Sequence, residues 1–355
     1  MSSFSLGPVL LFVFVAILAV AIPLQAEDCF YSGKKLTLIS AVAGGADWEP
    51  TTKELLAAEK TGFGGLCGVV VDHATGTVFI DLSDRGLYRS TNQGKTWQAT
   101  AENSLKGRTE WPGCLMIDPT GKSKRMMSAF VYGVPIAVSS NEGMTWDFMN
   151  PRSSHVDWCA VDWTDPDLKF VLALKHESGD LLIVSRDGGK SFEDVGRGFG
   201  PAWVFDTKTA VVAEAKSKAN PKPKLLRTDD AGKTFKPCGD YFTKALPKWR
   251  GNTLFWVVEG SIIASTDTGK TWKKLGDLKD GRYGPIFGKD ASQMFVLTGT
   301  GIVESTDGGA NWSKPLVLPK ELKGGGTLTW IEYDPINDTL YAMKMGSQLY
   351  KRARK

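Results

Sequence analysis

The chain has 355 residues, 42% of them hydrophobic and 23% charged, with a formal net charge of +4. That is an ordinary globular composition, apart from a surplus of glycine (39 residues) suited to many tight turns. A charge this small, with no arginine-rich or RNA-binding signature, argues against nucleic acid as a partner.

From the amino end, Val9 to Leu24 form a nearly continuous apolar run, followed by Gln25-Ala26 and then Glu27-Asp28. A hydrophobic stretch that closes on a small residue ahead of a polar start predicts a secretory leader over residues 1–26 and a mature domain over 27–355. An uncleaved anchor over residues 9–24 is the alternative, because the run approaches the span of a thin bilayer. On either reading the chain is expected to be exported, periplasmic or secreted, and to contact a membrane only through this segment. Five cysteines follow (Cys29, Cys67, Cys114, Cys159 and Cys238), with no C-x-x-C pair among them. Zinc and redox motifs are therefore absent, the pairing stays open, and no cofactor or metal is expected.

One short helix is predicted, over Thr52 to Lys60. Beyond it an eight-residue pattern recurs: Ser/Thr-x-Asp-x-Gly-x-Thr/Ser-aromatic. It is clearest at Ser265-Thr266-Asp267-Thr268-Gly269-Lys270-Thr271-Trp272. A short carboxylate can accept bonds from the backbone N–H groups of its own turn, and the glycine supplies a conformation other residues enter only with strain. The aromatic then begins the next strand and brings a large apolar surface. In chain order the acceptors of the six copies are Asn92, Asn141, Asp187, Asp230, Asp267 and Asp307. The closing aromatics (Trp97, Trp146, Phe192, Phe235, Trp272 and Trp312) are spaced 37 to 49 residues apart. That period fits one propeller blade per copy. Between copies, short β-rich runs divided by Gly, Asp and Asn predict four-stranded antiparallel meanders.

These boxes resemble the Asp-box, or BNR, repeat proteins, and the likeness covers essentially the whole mature chain. It implies that the boxes sit between the third and fourth strands of each blade and brace the fold rather than perform chemistry. At the carboxyl end three strands, Thr327 to Asp334, Asp338 to Met345 and Gln348 to Arg354, have no box after them. At the amino end Gly44-Gly45-Ala46-Asp47-Trp48 echoes a box with no strand before it. A seventh blade shared by both termini reconciles the two, giving an all-β, single seven-bladed propeller closed by the N-terminal strand.

A second aromatic follows each box aromatic by 11 to 18 residues: Trp111, Trp158, Trp203, Trp249, Tyr283 and Trp330, with Phe63 as the first-blade equivalent. Connectivity places these rings near the channel mouth on the face opposite the boxes, with Glu110, His155, Asp157, Lys248, Arg250 and Arg282 beside them. Aromatics with convergent polar groups make a plausible ligand site. Rings that wedge between blades would recur in the same way. The lysine- and proline-rich insertion Lys216 to Lys224 is expected to project from that face as a solvated loop or as a basic rim for an acidic partner.

Within the Asp-box group, size and single ring are most similar to the photosystem II assembly-factor-like proteins, which implies an exported, monomeric, non-catalytic scaffold with a protein or glycan partner. The alternative is a glycoside hydrolase, sialidase-like, using Glu110 or Asp157, since such enzymes need two carboxyl groups about 5–10 Å apart. Asp81, Glu177 and the neighbouring His176 are weaker candidates. The Arg-Ile-Pro motif and arginine triad of sialidases are missing, as is a G-x-S-x-G elbow.

Overall fold

The computed structural model describes residues 47–62, 64–100, 105–323 and 328–354. Chain contacts separate residues 1–43 from 44–355, and everything described belongs to the second unit. The leader, Cys29 and Phe63 lie outside the described residues.

Seven antiparallel blade sheets follow one another in chain order, and a two-stranded sheet pairs Gly107–Arg108 with Tyr132–Gly133 beside the second. Blade one runs Leu66–Val71, Val78–Leu82, Gly86–Ser90 and Gln98–Ala99, innermost strand first. Blades two to six begin with inner strands Leu115–Ile117, Val156–Val161, Phe199–Val204, Lys248–Arg250 and Gly281–Phe287. Blade seven takes Thr329–Asp334, Thr339–Lys344 and Tyr350–Ala353 from the carboxyl end, and Glu49–Pro50 from the amino end pairs with Lys351 and Tyr350. The shared closing blade is therefore as expected, and the short helix forms over Lys53–Glu59. Blade six departs from four strands. Its outer edge has shrunk to a bridge between Ile302 and Leu316, because Pro315 has no N–H to give to a ladder.

All six boxes have the same internal wiring. The Ser or Thr that opens each box donates to the Asp or Asn acceptor at 2.8–3.0 Å and accepts from the glycine N–H at 2.8–2.9 Å. The acceptor's Oδ1 also takes the backbone N–H four residues on, at 2.9–3.0 Å. Where the acceptor is Asn, its Nδ2 donates to the Thr hydroxyl instead of accepting from it, at 2.8 Å in the first box. The turn thus survives the exchange of Asp for Asn by reversing one bond.

Only the Asp boxes titrate. Donation from the Ser191 side chain, outweighing a small burial penalty, holds Asp187 down at about 2, and Asn311 does the same for Asp307. At Asp267 burial pushes upward, but the bonds from Thr271 and its neighbours bring the carboxyl to about 2. Asp230, held by Thr234, lies well below the usual range. An unfolded aspartate titrates near 3.9, so between roughly pH 4 and 2 the unfolded chain binds the extra protons. The stability these boxes supply is complete above that window and drains away as pH falls through it. A variant with Asn at 187, 230, 267 and 307 should differ in melting temperature from the parent by a constant amount above about pH 5. The gap should shift between pH 4 and 2; parallel curves throughout that range would refute the assignment.

Candidate functional site

Strand register decides which residues share an end of the ring. Val71 pairs with Val78, which pairs with Ser90, so the turn after each inner strand lies on the same face as the boxes. Blades three and four repeat this, with Val161, Val171 and Ser185 aligned, then Val204, Ala210 and Thr228. Starts of inner strands, and the turns between second and third strands, lie at the opposite end, where Phe199 pairs with Glu214.

The larger cavity opens at the box end of the channel. It measures about 820 Å³ and is lined by the residues that close the inner strands and their turns, among them His73, Met116, Trp163 and Ile336. Such a volume suits a small organic ligand or an inserted side chain. Trp203 and Trp249, from neighbouring blades, stack on its wall with ring centroids 5.9 Å apart and planes within 7°. Both are half-buried, so each keeps some ring surface.

Charge enters from three blades. Lys248 Nζ donates to the Tyr283 hydroxyl at 3.0 Å, and that hydroxyl donates to Glu332 Oε1 at 3.2 Å. Burial pushes the Glu332 carboxyl up to about 7 against the pull of Lys248, and burial lowers the Lys248 ammonium. Nearer the rim, Arg250 lies 5.9 Å over the Phe287 ring and gives one bond, to the Lys289 carbonyl at 3.0 Å. His73 is pushed down to about 4, by burial first and the nearby Arg250 charge second, and is neutral at physiological pH. The rim carboxylates are committed to their own turns: Asp72 takes Ala74 N–H and the Thr75 hydroxyl, and Asp118 takes Thr120 and Ser123.

The opposite mouth holds a smaller cavity of about 360 Å³ with Trp111, Tyr283, Arg282 and Glu110 on its wall. Lys216, the first residue of the lysine-rich insertion, reaches it and sits 5.2 Å over the Phe242 ring. Glu110 is ion-paired with Arg108, whose guanidinium also lies 4.9 Å over the Tyr132 ring. Asp157 Oδ1 bonds to His176 Nδ1 at 2.6 Å, and burial raises that carboxyl despite the histidine. His155 packs edge-on against His176 and Tyr132, its Nδ1 tied to the Val131 carbonyl. Arg282 pairs with Asp280 at 2.9 Å.

The expected single ring of aromatics is thus divided among three settings. Trp111 faces the mouth opposite the boxes, where Tyr283 borders the cavity but is only 2% exposed. Trp203 and Trp249 face the box end, because Trp203 is the fifth residue of its inner strand and Trp249 adjoins the turn of a three-residue one. Trp158 and Trp330 are 0% and 1% exposed, between blades, and offer no surface to a ligand. Of the acids, Asp81 is wholly buried beside the Cys67 thiol at 3.2 Å and pushed up to about 8 by that burial. His73 and Glu332 escaped sequence reasoning, since neither recurs with the repeat. Among the described residues no group of three or more His, Cys, Asp or Glu could hold a metal, the four described cysteines are free, and no helix is long and apolar enough to cross a membrane.

The BNR/Asp-box repeat family matches residues 88–99, the first box. No curated protein matches the sequence significantly. Solved structures are similar in fold. The extracellular domain of a putative one component system from B. thetaiotaomicron superposes with TM-score 0.52 at 9% identity, over 81% of this chain and 38% of that one, so this chain spans well under half its length. The Myceliophteria thermophila Cps50 (Swd1) β-propeller domain gives 0.52 at 11% identity, over 83% of this chain and 98% of that one. YCF48 from Cyanidioschyzon merolae gives 0.46 at 11%, over 87% and 99%, a likeness too slight to build on.

Proposed function

We propose that this chain, a seven-bladed propeller braced by BNR/Asp-box repeats, is an exported, monomeric, non-catalytic binding scaffold whose working site is its central channel. The observation that carries this is the pair of stacked half-buried indoles on the wall of a cavity of about 820 Å³. Partly exposed rings backed by rigid neighbours give contact area at small entropic cost, which is what a recognition surface needs. The hydrolase alternative requires two carboxyl groups free to act on one bond. Here Glu110 is spent on Arg108 and Asp157 on His176, which favours binding over turnover.

A glycan partner and a protein partner both suit an aromatic-walled channel, and the leader-like apolar run at residues 9–24 supports export. Two measurements test the scaffold together. Incubation with a broad panel of α- and β-linked glycans should release no reducing ends. The propeller immobilised as bait should retain a partner from the native envelope that the Trp249→Ala bait, held well below its own melting temperature, does not. Hydrolysis of any panel member that Glu110→Gln or Asp157→Asn abolishes would replace the scaffold with the enzyme.

A further inference from the structure

We infer that the box-end cavity takes a small aromatic carboxylate, its ring laid on the Trp203–Trp249 pair and its acid group directed to Lys248 and Arg250. The inference rests on the reading of that cavity as the working site and names the class of ligand it fits.

The starting point is a mismatch between donors and acceptors. Neither Lys248 nor Arg250 has a carboxylate within 4 Å among the described residues. Lys248 spends one of its three N–H donors on Tyr283, and Arg250 spends one of its five on a carbonyl. The remaining donors belong to two cations on a wall that is otherwise largely aromatic and aliphatic. Cations are seldom left without a counter-charge in such surroundings, because taking them out of water costs energy that only an anion or good hydrogen bonds return.

Candidate counter-charges within the cavity fall short. Asp72 and Asp118 bind the N–H and hydroxyl groups of their own turns, Asp290, which feels the Arg250 charge, is held by Ser292 in the same way, and Glu332 attracts Lys248 but bonds to it only through the Tyr283 hydroxyl. An incoming oxyanion would supply acceptors for both cations at once, with the guanidinium offering a planar fork for it. The apolar part is set by the neighbours of those cations. On the strand Lys248–Arg250, Trp249 points to the side opposite its two flanking residues, towards Trp203 of the preceding blade, while Lys248 and Arg250 lie against Tyr283 and Phe287 of the next. Ring platform and cations therefore come from two consecutive blades around one opening, with Tyr283 and Phe287 of a third behind the cations. A flat body with a single acid group spans that arrangement; an uncharged sugar could accept hydrogen bonds from both cations but would leave their charge uncompensated.

Calorimetric titration with 2-naphthoate and with 2-naphthamide, which share a ring system and differ in the charge, separates the parts. The acid should bind the unmodified propeller at least tenfold more tightly than the amide. Arg250→Met should erase that preference, and Trp249→Ala should weaken both compounds, each measured well below the variant's own melting temperature. Equal affinity for acid and amide, or no binding of either, overturns the ligand class while leaving a macromolecular partner at the channel open. Binding of the acid that neither variant alters overturns the location.

Discussion

Replacing Trp158 with alanine is expected to lower the unfolding free energy by about 3–5 kcal/mol, the range for truncating a buried large aromatic in a packed core. The indole is 0% exposed in the third inner strand, in the largest apolar cluster, which joins residues of blades two, three and four. Its loss removes contacts on both sides of a blade interface, where no strand-to-strand hydrogen-bond ladder joins the sheets among the described residues. Phenylalanine should restore most of the stability, for a specific reason. Trp158 Nε1 is buried with no hydrogen-bond partner among the described residues, so the ring carries an uncompensated donor that Phe lacks. Urea unfolding of the three proteins measures both differences. An alanine variant within about 1 kcal/mol of the parent, too small for a packed core position, would mean that the blades are not sealed by this ring.

The same residue shows what could be read before the structure. A tryptophan at the repeat period is compatible with a ligand platform and with an interblade wedge, and periodicity cannot separate them. Separation needs the position of each residue along its own strand, and the inner strands range from three residues at Lys248–Arg250 to seven at Gly281–Phe287. The boxes were legible because the bonds that brace each turn join residues at most four apart, so the chemistry of Asp267 or Asn92 is written in its own octapeptide. The closing blade was legible because an unpaired set of three strands and a stray box-like segment had one economical partner. The channel was not. Lys248, Tyr283 and Glu332 come from blades five, six and seven and meet only when the ring closes. His73 follows Asp72 in a turn whose aspartate recurs as Asp118, Asp162, Asp206, Asp290 and Asp334, but none of those turns has a histidine after it. Which mouth carries the larger cavity follows from register and loop length together, and neither is local.

Glycine in the boxes provides the second large effect, and the structure distinguishes two glycines of equal backbone geometry. Gly269 and Gly308 have φ of 77° and 72°, a left-handed region that favours glycine. A Cβ at Gly269 would approach Val211 Cγ1 of the preceding blade to 2.2 Å, whereas one at Gly308 would meet no heavy atom within 4 Å. Alanine at 269 therefore adds a steric term of about 1–3 kcal/mol to a conformational one of about 1–2 kcal/mol. Alanine at 308 incurs at most the conformational term, and the chain shows that this is tolerable. The residues in the same box position elsewhere, Gln93, Glu142, Ala231 and Thr268, are all left-handed without being glycine. Gly269→Ala should thus cost about 2–5 kcal/mol, with Gly308→Ala costing about 1 kcal/mol. Because Val211 is wholly buried and belongs to the cluster that joins blades four and five, the strain at 269 is passed to a neighbouring sheet. Shrinking the obstacle should relieve it: adding Val211→Ala to Gly269→Ala should cost less than the two single changes combined. Additive single and double variants would show that the box glycine is required by its own turn alone, and that the boxes do not also serve as spacers between blades.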